Sequence, residues 1–295
     1  MRVLVTGAGG FSGTNIVGAL LAASHEVVAI ASRSGKDRLQ LDPETMPNLT
    51  VLFGDLAEGM VLPGDVEAVV HTAAVSPGPG VQATAADFIR NNAEATRRLV
   101  LWARGIGVTR FIYFSSLSVF GRISGPVLDE SAPRVDPDAY GVSKWLGEVV
   151  LCEQGDAMAS LSLRLPGVVG PGAVRNWLAS MAVAAKGGRE IAYFHGDADY
   201  NNAVHIDDLC RLVTGVLCRG LSGHDVVTLG AAGAMKVRDM VTSMAVGLGG
   251  RSSLRELPAP RPSFTVSIAR ARKLYDYQPL AMSDMVARFI AESKG

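Results

Sequence analysis

Cysteine is scarce in this chain: Cys152, Cys210 and Cys218 are the three in 295 residues. Three thiols cannot build a disulfide framework, and their spacing matches no metal knuckle, so no metal site is expected. They read as small buried hydrophobes. Neither sign of charge is in excess, since 28 Lys+Arg meet 28 Asp+Glu. That balance argues against nucleic acid or an anionic membrane as the main partner, because both need a basic surplus. Long apolar runs are missing as well. One long uncharged stretch, 68–86, is cut by His71, Pro77, Gly78, Pro79 and Gly80, well short of the ~20 apolar residues of a membrane span. Arg2 leads straight into Val3-Leu4-Val5, a strand and not the apolar helix of a signal peptide. The expectation is a soluble, cytoplasmic protein. Apolar residues (48 %) and glycine (33 residues) are plentiful, and 19 % charge is too little for a disordered chain.

Short β-branched runs at 2–6, 26–31, 50–53, 68–72, 111–115 and 160–165 alternate with helical patterns at 12–23, 86–104 and 140–154. Near-continuous apolar strands alternating with helices predict an α/β fold, a Rossmann-like doubly wound parallel sheet covered on both faces. Such sheets bind ligands at the carboxyl ends of their strands. After Leu165 the pattern loosens around Pro166, Gly167, Gly170, Pro171 and Gly172. A helix at 176–186, a strand at 225–229 and helices at 237–246 and 282–293 follow. The expected organisation is a dinucleotide-binding domain over 1–170, to which 201–230 returns. A smaller C-terminal substrate-binding lobe takes 171–200 and 231–295.

Val5-Thr6-Gly7-Ala8-Gly9-Gly10-Phe11-Ser12-Gly13 follows the first strand and opens the first helix. Gly7, Gly10 and Gly13 suit a tight turn, a close backbone approach to pyrophosphate and close helix–strand packing. This loop, with Phe11 and Ser12, reads as the dinucleotide-binding element. An acid at the end of the second strand would hold the adenosine ribose hydroxyls. Here the strand ends Ala31-Ser32-Arg33, with no acid before Asp37. A hydroxyl and a guanidinium fork suit a phosphate monoester, which favours NADP over NAD.

Tyr140 and Lys144 stand at i and i+4, one helical turn apart. An ammonium near a phenol is expected to lower its pKa from ~10 towards the working range, making a general acid or base for an alcohol or ketone. Upstream, Phe114-Ser115-Ser116-Leu117-Ser118 follows an apolar strand, so its hydroxyls emerge at the carboxyl edge.

Further motifs follow in order: Gly54-Asp55-Leu56, His71-Thr72-Ala73-Ala74, Asn92-Ala93-Glu94-Ala95-Thr96, Ser115 to Gly121, Arg164-Leu165-Pro166, and His205-Ile206-Asp207-Asp208. With the glycine loop and the Tyr140/Lys144 pair, the chain resembles an extended short-chain dehydrogenase/reductase of the NAD-dependent epimerase/dehydratase family. That group includes nucleotide-sugar epimerases, dehydratases and 4-ketoreductases. The resemblance implies Ser116 as the catalytic hydroxyl, Tyr140 as the proton-transfer residue, and Lys144 on the nicotinamide ribose. It implies Asp55 and Leu56 beside the adenine, Ala73 and Ala74 along the cofactor, and Asn92 near the nicotinamide. A turn cap remains open for Asp55, and a structural hydrogen bond for Asn92 and His71.

Three departures matter. Phe120 stands where the family has a Tyr after the serines. Asn201-Asn202 replaces an Arg-Asp pair, whose Arg sits near the substrate diphosphate or base in sugar-nucleotide members. The acid ending the second strand is absent. Arg261 resembles the C-terminal Arg of the substrate site, and Arg175 and Asn176 lie where the substrate helix begins, all three open to a bland surface reading. Ser118 joins Ser116 facing substrate, and Leu117-Ser118 lacks the Asp-Glu pair of a 4,6-dehydratase. The resemblance implies a nucleotide-sugar 4-epimerase or 4-ketoreductase, dimerising through 86–104 and 140–154. The alternatives are an NADP-dependent reductase of a smaller carbonyl compound and a non-catalytic dinucleotide sensor.

Overall fold

A computed structural model describes residues 1–33, 42–78 and 80–294; Asp37 lies outside them. The apolar runs form seven strands of one sheet. They are β1 (Arg2–Thr6), β2 (Glu26–Ala31), β3 (Leu49–Phe53), β4 (Ala68–His71), β5 (Arg110–Ser116), β6 (Ala159–Leu165) and β7 (His224–Thr228). The order across the sheet is β7-β6-β5-β4-β1-β2-β3, and β1 runs parallel to both β2 and β4. Val3, Leu4 and Val5 of β1 and Val27 to Ala31 of β2 are all buried. A sheet covered on both faces has no polar side to alternate with. From β1 the chain proceeds outward through β2 and β3, then returns to β4 on the other side. This reversal between β1 and β4 is where an open α/β sheet offers its ligand crevice.

Helix α1 (Phe11–Ala22) follows β1. The expected helix over 86–104 forms in three stretches: α2 (Ala85–Phe88), a π-helical segment (Ile89–Glu94) and α3 (Ala95–Gly105). Thr84 and Asp87 close its start with a capping box. Helix α4 (Ala139–Cys152) is capped by Asp138, whose carboxylate accepts from the Gly141 amide at 2.7 Å.

Two compact units emerge. One comprises Met1–Gly121, Asp136–Arg164 and Cys210–Val227, and the other Arg122–Val135, Leu165–Leu209 and Thr228–Gly295. The division differs from the expected 1–170 and 201–230 in giving Arg122–Val135 and residues 165–170, 201–209 and 228–230 to the second unit. Backbone pairing is the reason: Val127–Leu128 pairs with Thr265–Val266, and Ala203–His205 with Gly167–Val169. Within the second unit, α5 (Trp177–Lys186), α7 (Val237–Gly247) and α8 (Met282–Lys294) pack around Leu178, Met181, Met240, Met244, Met285 and Phe289.

The reading of all three cysteines as buried is corrected: Cys210 is buried, whereas Cys152 and Cys218 are exposed. Cys218 follows the buried Val216 and Leu217 on α6 (Ile206–Arg219), one step past the apolar stripe. Residue type alone does not tell which helix face a thiol takes. Among the described residues no helix is long and apolar enough to cross a membrane.

Candidate active site

The glycine loop shows why its positions admit no side chain. Gly7 has φ +72°, and a Cβ there would lie 2.7 Å from the Ala73 amide nitrogen. A Cβ on Gly13 would come to 2.1 Å from the Gly7 carbonyl oxygen. Gly10 is the N-cap of α1, with no side-chain cap and no acid in the first turn. The opening amides therefore present free N–H donors and the positive end of the helix dipole, which suits a pyrophosphate.

Behind the loop, His71 at the end of β4 is held from both sides. Its Nδ1 meets Thr6 Oγ1 at 2.6 Å and its Nε2 meets Thr96 Oγ1 at 2.8 Å. The ring stacks on Tyr113 at 5.5 Å. Thr72 donates to the Thr6 carbonyl at 2.7 Å. His71 thus cross-links β1, β4 and α3, the structural alternative left open for it. Burial, helped by the nearby Lys144 charge, pulls its pKa down to about 3. Between pH 6.5 and 3 the unfolded chain gains a proton that the folded protein refuses, so acid destabilises the fold. The slope reaches about 1.4 kcal/mol per pH unit. In His71→Asn, the fall of urea-unfolding free energy from pH 6.5 to 4 should be shallower by about one proton; an unchanged slope would contradict a neutral, buried His71.

Ser116 ends β5, and its Oγ accepts from the Ser118 amide at 3.1 Å. The Tyr140 hydroxyl, from the first turn of α4, lies beside the Ser116 side chain, whose influence lowers its pKa. Phe88 of α2 packs edge-on to the Tyr140 ring at 5.8 Å. One turn further, Lys144 is 2 % exposed, its Nζ 4.2 Å above the Tyr113 ring. Ser116, Tyr140 and Lys144 are therefore brought together. The expected electrostatics are corrected, however. Burial pushes the Tyr140 pKa up, Ser116 draws it part of the way back, and Asp138 adds to the rise. Lys144 does not supply the lowering, because burial pulls its own pKa down to about 7 against the opposing pull of Glu148. A group that is only partly protonated near neutral pH carries less positive charge than an ordinary lysine ammonium.

Asn92, in the π-helical segment, spends its whole amide on the fold. Its Oδ1 accepts from the Val75 amide at 2.8 Å, and its Nδ2 donates to the Val75 carbonyl at 2.9 Å and to Ser143 Oγ at 3.0 Å. Ser143 in turn donates to the Tyr140 carbonyl at 2.7 Å. Asn92 therefore ties the segment after β4 to the first turn of α4. Asp55 caps a short turn, accepting from the Ala57 amide at 2.8 Å, so its carboxylate has the local role left open above. Ser32, Arg33, Gly54, Asp55 and Glu58 line a shallow depression of about 390 Å³ past the ends of β2 and β3. Leu56 and Ala73 are half-buried, and Ala74 is exposed.

The expected substrate residues Arg175, Asn176 and Arg261 belong to the second unit. Arg175 and Arg261 are exposed. Asn176 caps α5, accepting from the Ala179 amide at 2.9 Å and donating to the Val168 carbonyl at 2.7 Å. Asn201 is buried and stitches backbone: it donates to the Val266 carbonyl at 2.8 Å and accepts from the Val266 amide at 2.7 Å.

Four residues without an expected role shape the site. A Cβ on Gly141 would sit 2.1 Å from the Ser118 carbonyl oxygen, and one on Gly147 would sit 2.4 Å from Tyr113 Oη. These two glycines let α4 lie against β5. Glu148 and Arg164 form a buried ion pair at 2.8 Å. Arginine inside the apolar strand Leu161-Ser162-Leu163-Arg164-Leu165 was the available signal, since a buried guanidinium demands a buried acid.

The family model described as NAD dependent epimerase/dehydratase family matches residues 3–230. A 3-beta-hydroxysteroid dehydrogenase of Mycolicibacterium neoaurum is 32 % identical over 58 % of this chain, and the match spans about half (48 %) of that protein. A Bacillus subtilis protein called "uncharacterized UDP-glucose epimerase YtcB" is 27 % identical over 95 % of this chain and 93 % of its own length. Among solved structures, UDP-glucuronic acid 4-epimerase from Bacillus cereus in complex with NAD superposes with a TM-score of 0.84. It is 23 % identical, with 100 % of this chain and 99 % of that one covered; at that identity the likeness shows the fold.

Proposed function

Because the chain belongs to the NAD-dependent epimerase/dehydratase family, we propose that it is a dinucleotide-dependent enzyme that acts on a nucleotide sugar, as a 4-epimerase or 4-ketoreductase. The observation that carries this reading is the hydroxyl pair Ser116–Tyr140 beside the buried Lys144, at the carboxyl edge of β5. A dinucleotide fits the loop, where a Cβ on Gly7 or Gly13 would collide with backbone. Gly7, Gly10, Phe11, Ser12 and Gly13 would hold its pyrophosphate, Ala73 and Ala74 its flank, and Lys144 its nicotinamide ribose. When bound, the nicotinamide supplies or accepts hydride. The chain's own part is to position and to move a proton. Ser116 and Tyr140 hold the reacting oxygen of the sugar, and the Tyr140 phenol donates its proton to that oxygen as a carbonyl is reduced, or takes it back as an alcohol is oxidised.

At the adenosine end, Ser32 and Arg33 offer a hydroxyl and a cation where an acid would repel a 2′-phosphate. On this ground the reading prefers NADP, although the Bacillus cereus 4-epimerase was solved in complex with NAD. A homodimer through 86–104 and 140–154 completes the proposal. Ile89, Leu101, Leu146 and Val149 are exposed apolar side chains that such an interface would cover.

One experiment addresses substrate and cofactor together. Purified protein is incubated with UDP-glucose, UDP-galactose or UDP-glucuronic acid and either NAD or NADP, with the sugar followed by proton NMR. Inversion at C4 with retained cofactor is the epimerase outcome, and NADPH consumption on a 4-keto sugar the reductase outcome. Inertness towards all of them sinks the sugar reading, and equal or tighter binding of NAD sinks the NADP preference. A second reading, an NADP-dependent reductase of a smaller carbonyl compound, is favoured by Asn201. The residue in place of the Arg is buried and engaged with backbone.

A further inference from the structure

Glu148 lies one helical turn beyond Lys144 and two beyond Tyr140, on the side of α4 that faces the sheet. It is 3 % exposed, and every partner identified for it is buried too. From β5, Ser115 donates to its Oε1 at 2.6 Å. From β6, Arg164 grips both oxygens, Nε to Oε1 at 2.9 Å and Nη2 to Oε2 at 2.8 Å. The guanidinium rests on the Phe120 ring at 4.7 Å. Ser115 adjoins Ser116, and Phe120 ends the turn that Ser116 begins. A single carboxylate therefore binds α4 to the two strands beneath the site, in the region where Gly141 and Gly147 let the backbones meet.

We propose that Glu148 is a positioning residue for the Ser116–Tyr140–Lys144 site. Its carboxylate, gripped by Arg164 and Ser115, fixes α4 on β5 and β6 and sets the charge carried by Lys144. The inference rests on the reading of Tyr140 and Lys144 as working groups. Among the described residues, charged and titratable groups from α4, β5 and β7 surround the pair. Lys144 shares its helix, Tyr113 projects from β5, and His224 with its neighbour Asp225 comes from β7. Around Lys144 itself stand Tyr113, whose ring lies under the ammonium, His71 from β4, and Glu148. His71 stays neutral, so Glu148 is the anion that counters the desolvation of the ammonium. Without it, Lys144 would lose the carboxylate that favours its charged form and would shed its proton more readily.

The test reads Lys144 directly, by titrating its Cε chemical shift in protein labelled with ¹³C-lysine, with Lys144→Arg identifying the signal. In the wild type the midpoint is expected near 7. In Glu148→Gln it should fall by at least one pH unit, taking the ammonium fraction at pH 7 from about half to about a tenth or less. Removing one partner of a buried pair is costly, so the double variant Glu148→Gln/Arg164→Met provides a version that keeps the volume without the stranded cation. Its midpoint should also fall. A folded variant of either kind with an unmoved or raised midpoint overturns the proposal, and a purely structural Glu148 would change thermal stability alone. The titration needs no substrate. A midpoint that moves as expected in a protein inert towards every nucleotide sugar upholds the Glu148 assignment while the functional reading fails.

Discussion

Tyr140→Phe is expected to lower turnover by about a thousandfold, within the 10²–10⁴ span typical of losing a general acid–base group, while leaving cofactor affinity within about threefold. The substitution removes one oxygen. The ring keeps its edge contact with Phe88, and α4 keeps its Asp138 cap. What disappears is the hydroxyl paired with Ser116. Burial favours the neutral phenol, so Tyr140 is well suited to donate a proton to a developing alkoxide. In the oxidising direction the same burial opposes tyrosinate, and Ser116 is the chief compensation on this chain. Steady-state kinetics on the wild type and variant, alongside cofactor titration by fluorescence, check the expectation. A turnover number within threefold of wild type would remove Tyr140 from its assigned role.

Gly141→Ala is the second large effect, and it acts through backbone. The added Cβ would meet the Ser118 carbonyl oxygen at 2.1 Å and its carbon at 2.8 Å. Neither atom can rotate aside, so α4 must retreat from the turn after β5 by about 1 Å. A misplacement of that size costs on the order of a hundredfold in rate, and overpacking costs about 1–3 kcal/mol or more of stability. Expected are a turnover at least a hundredfold lower and a lower melting temperature, with the α1 amides undisturbed and cofactor still bound. Gly18→Ala is the control. It lies exposed within α1 with nothing within 4 Å of the new Cβ, so it should stabilise by about 1 kcal/mol. Equal behaviour of the two variants would refute the close-approach argument.

Much of this was readable along the chain. Alternating apolar strands and helices, and a glycine loop five residues in, imply the doubly wound sheet, and all six early strands form within about a residue of their expected limits. The helix over 86–104 is visible as one run, but its π-helical middle, from which Asn92 reaches the segment after β4, is not. The Tyr140–Lys144 spacing placed both groups on one helix face. It did not reveal their charge states, because spacing carries no information about burial.

The sequence by itself determined the elements whose signals are local. Strand and helix periods, the glycine positions and the family motifs all depend on residues a few positions apart. The tertiary structure alone decided what depends on distant residues meeting. It paired Glu148 with Arg164 across 16 positions and His71 with Thr6 across 65. It buried Lys144 until its pKa fell to about 7, left Cys152 and Cys218 in solvent, and turned Asn201 onto Val266. Desolvation and long-range hydrogen bonding are properties of a packed neighbourhood, and that neighbourhood exists only once the chain has folded.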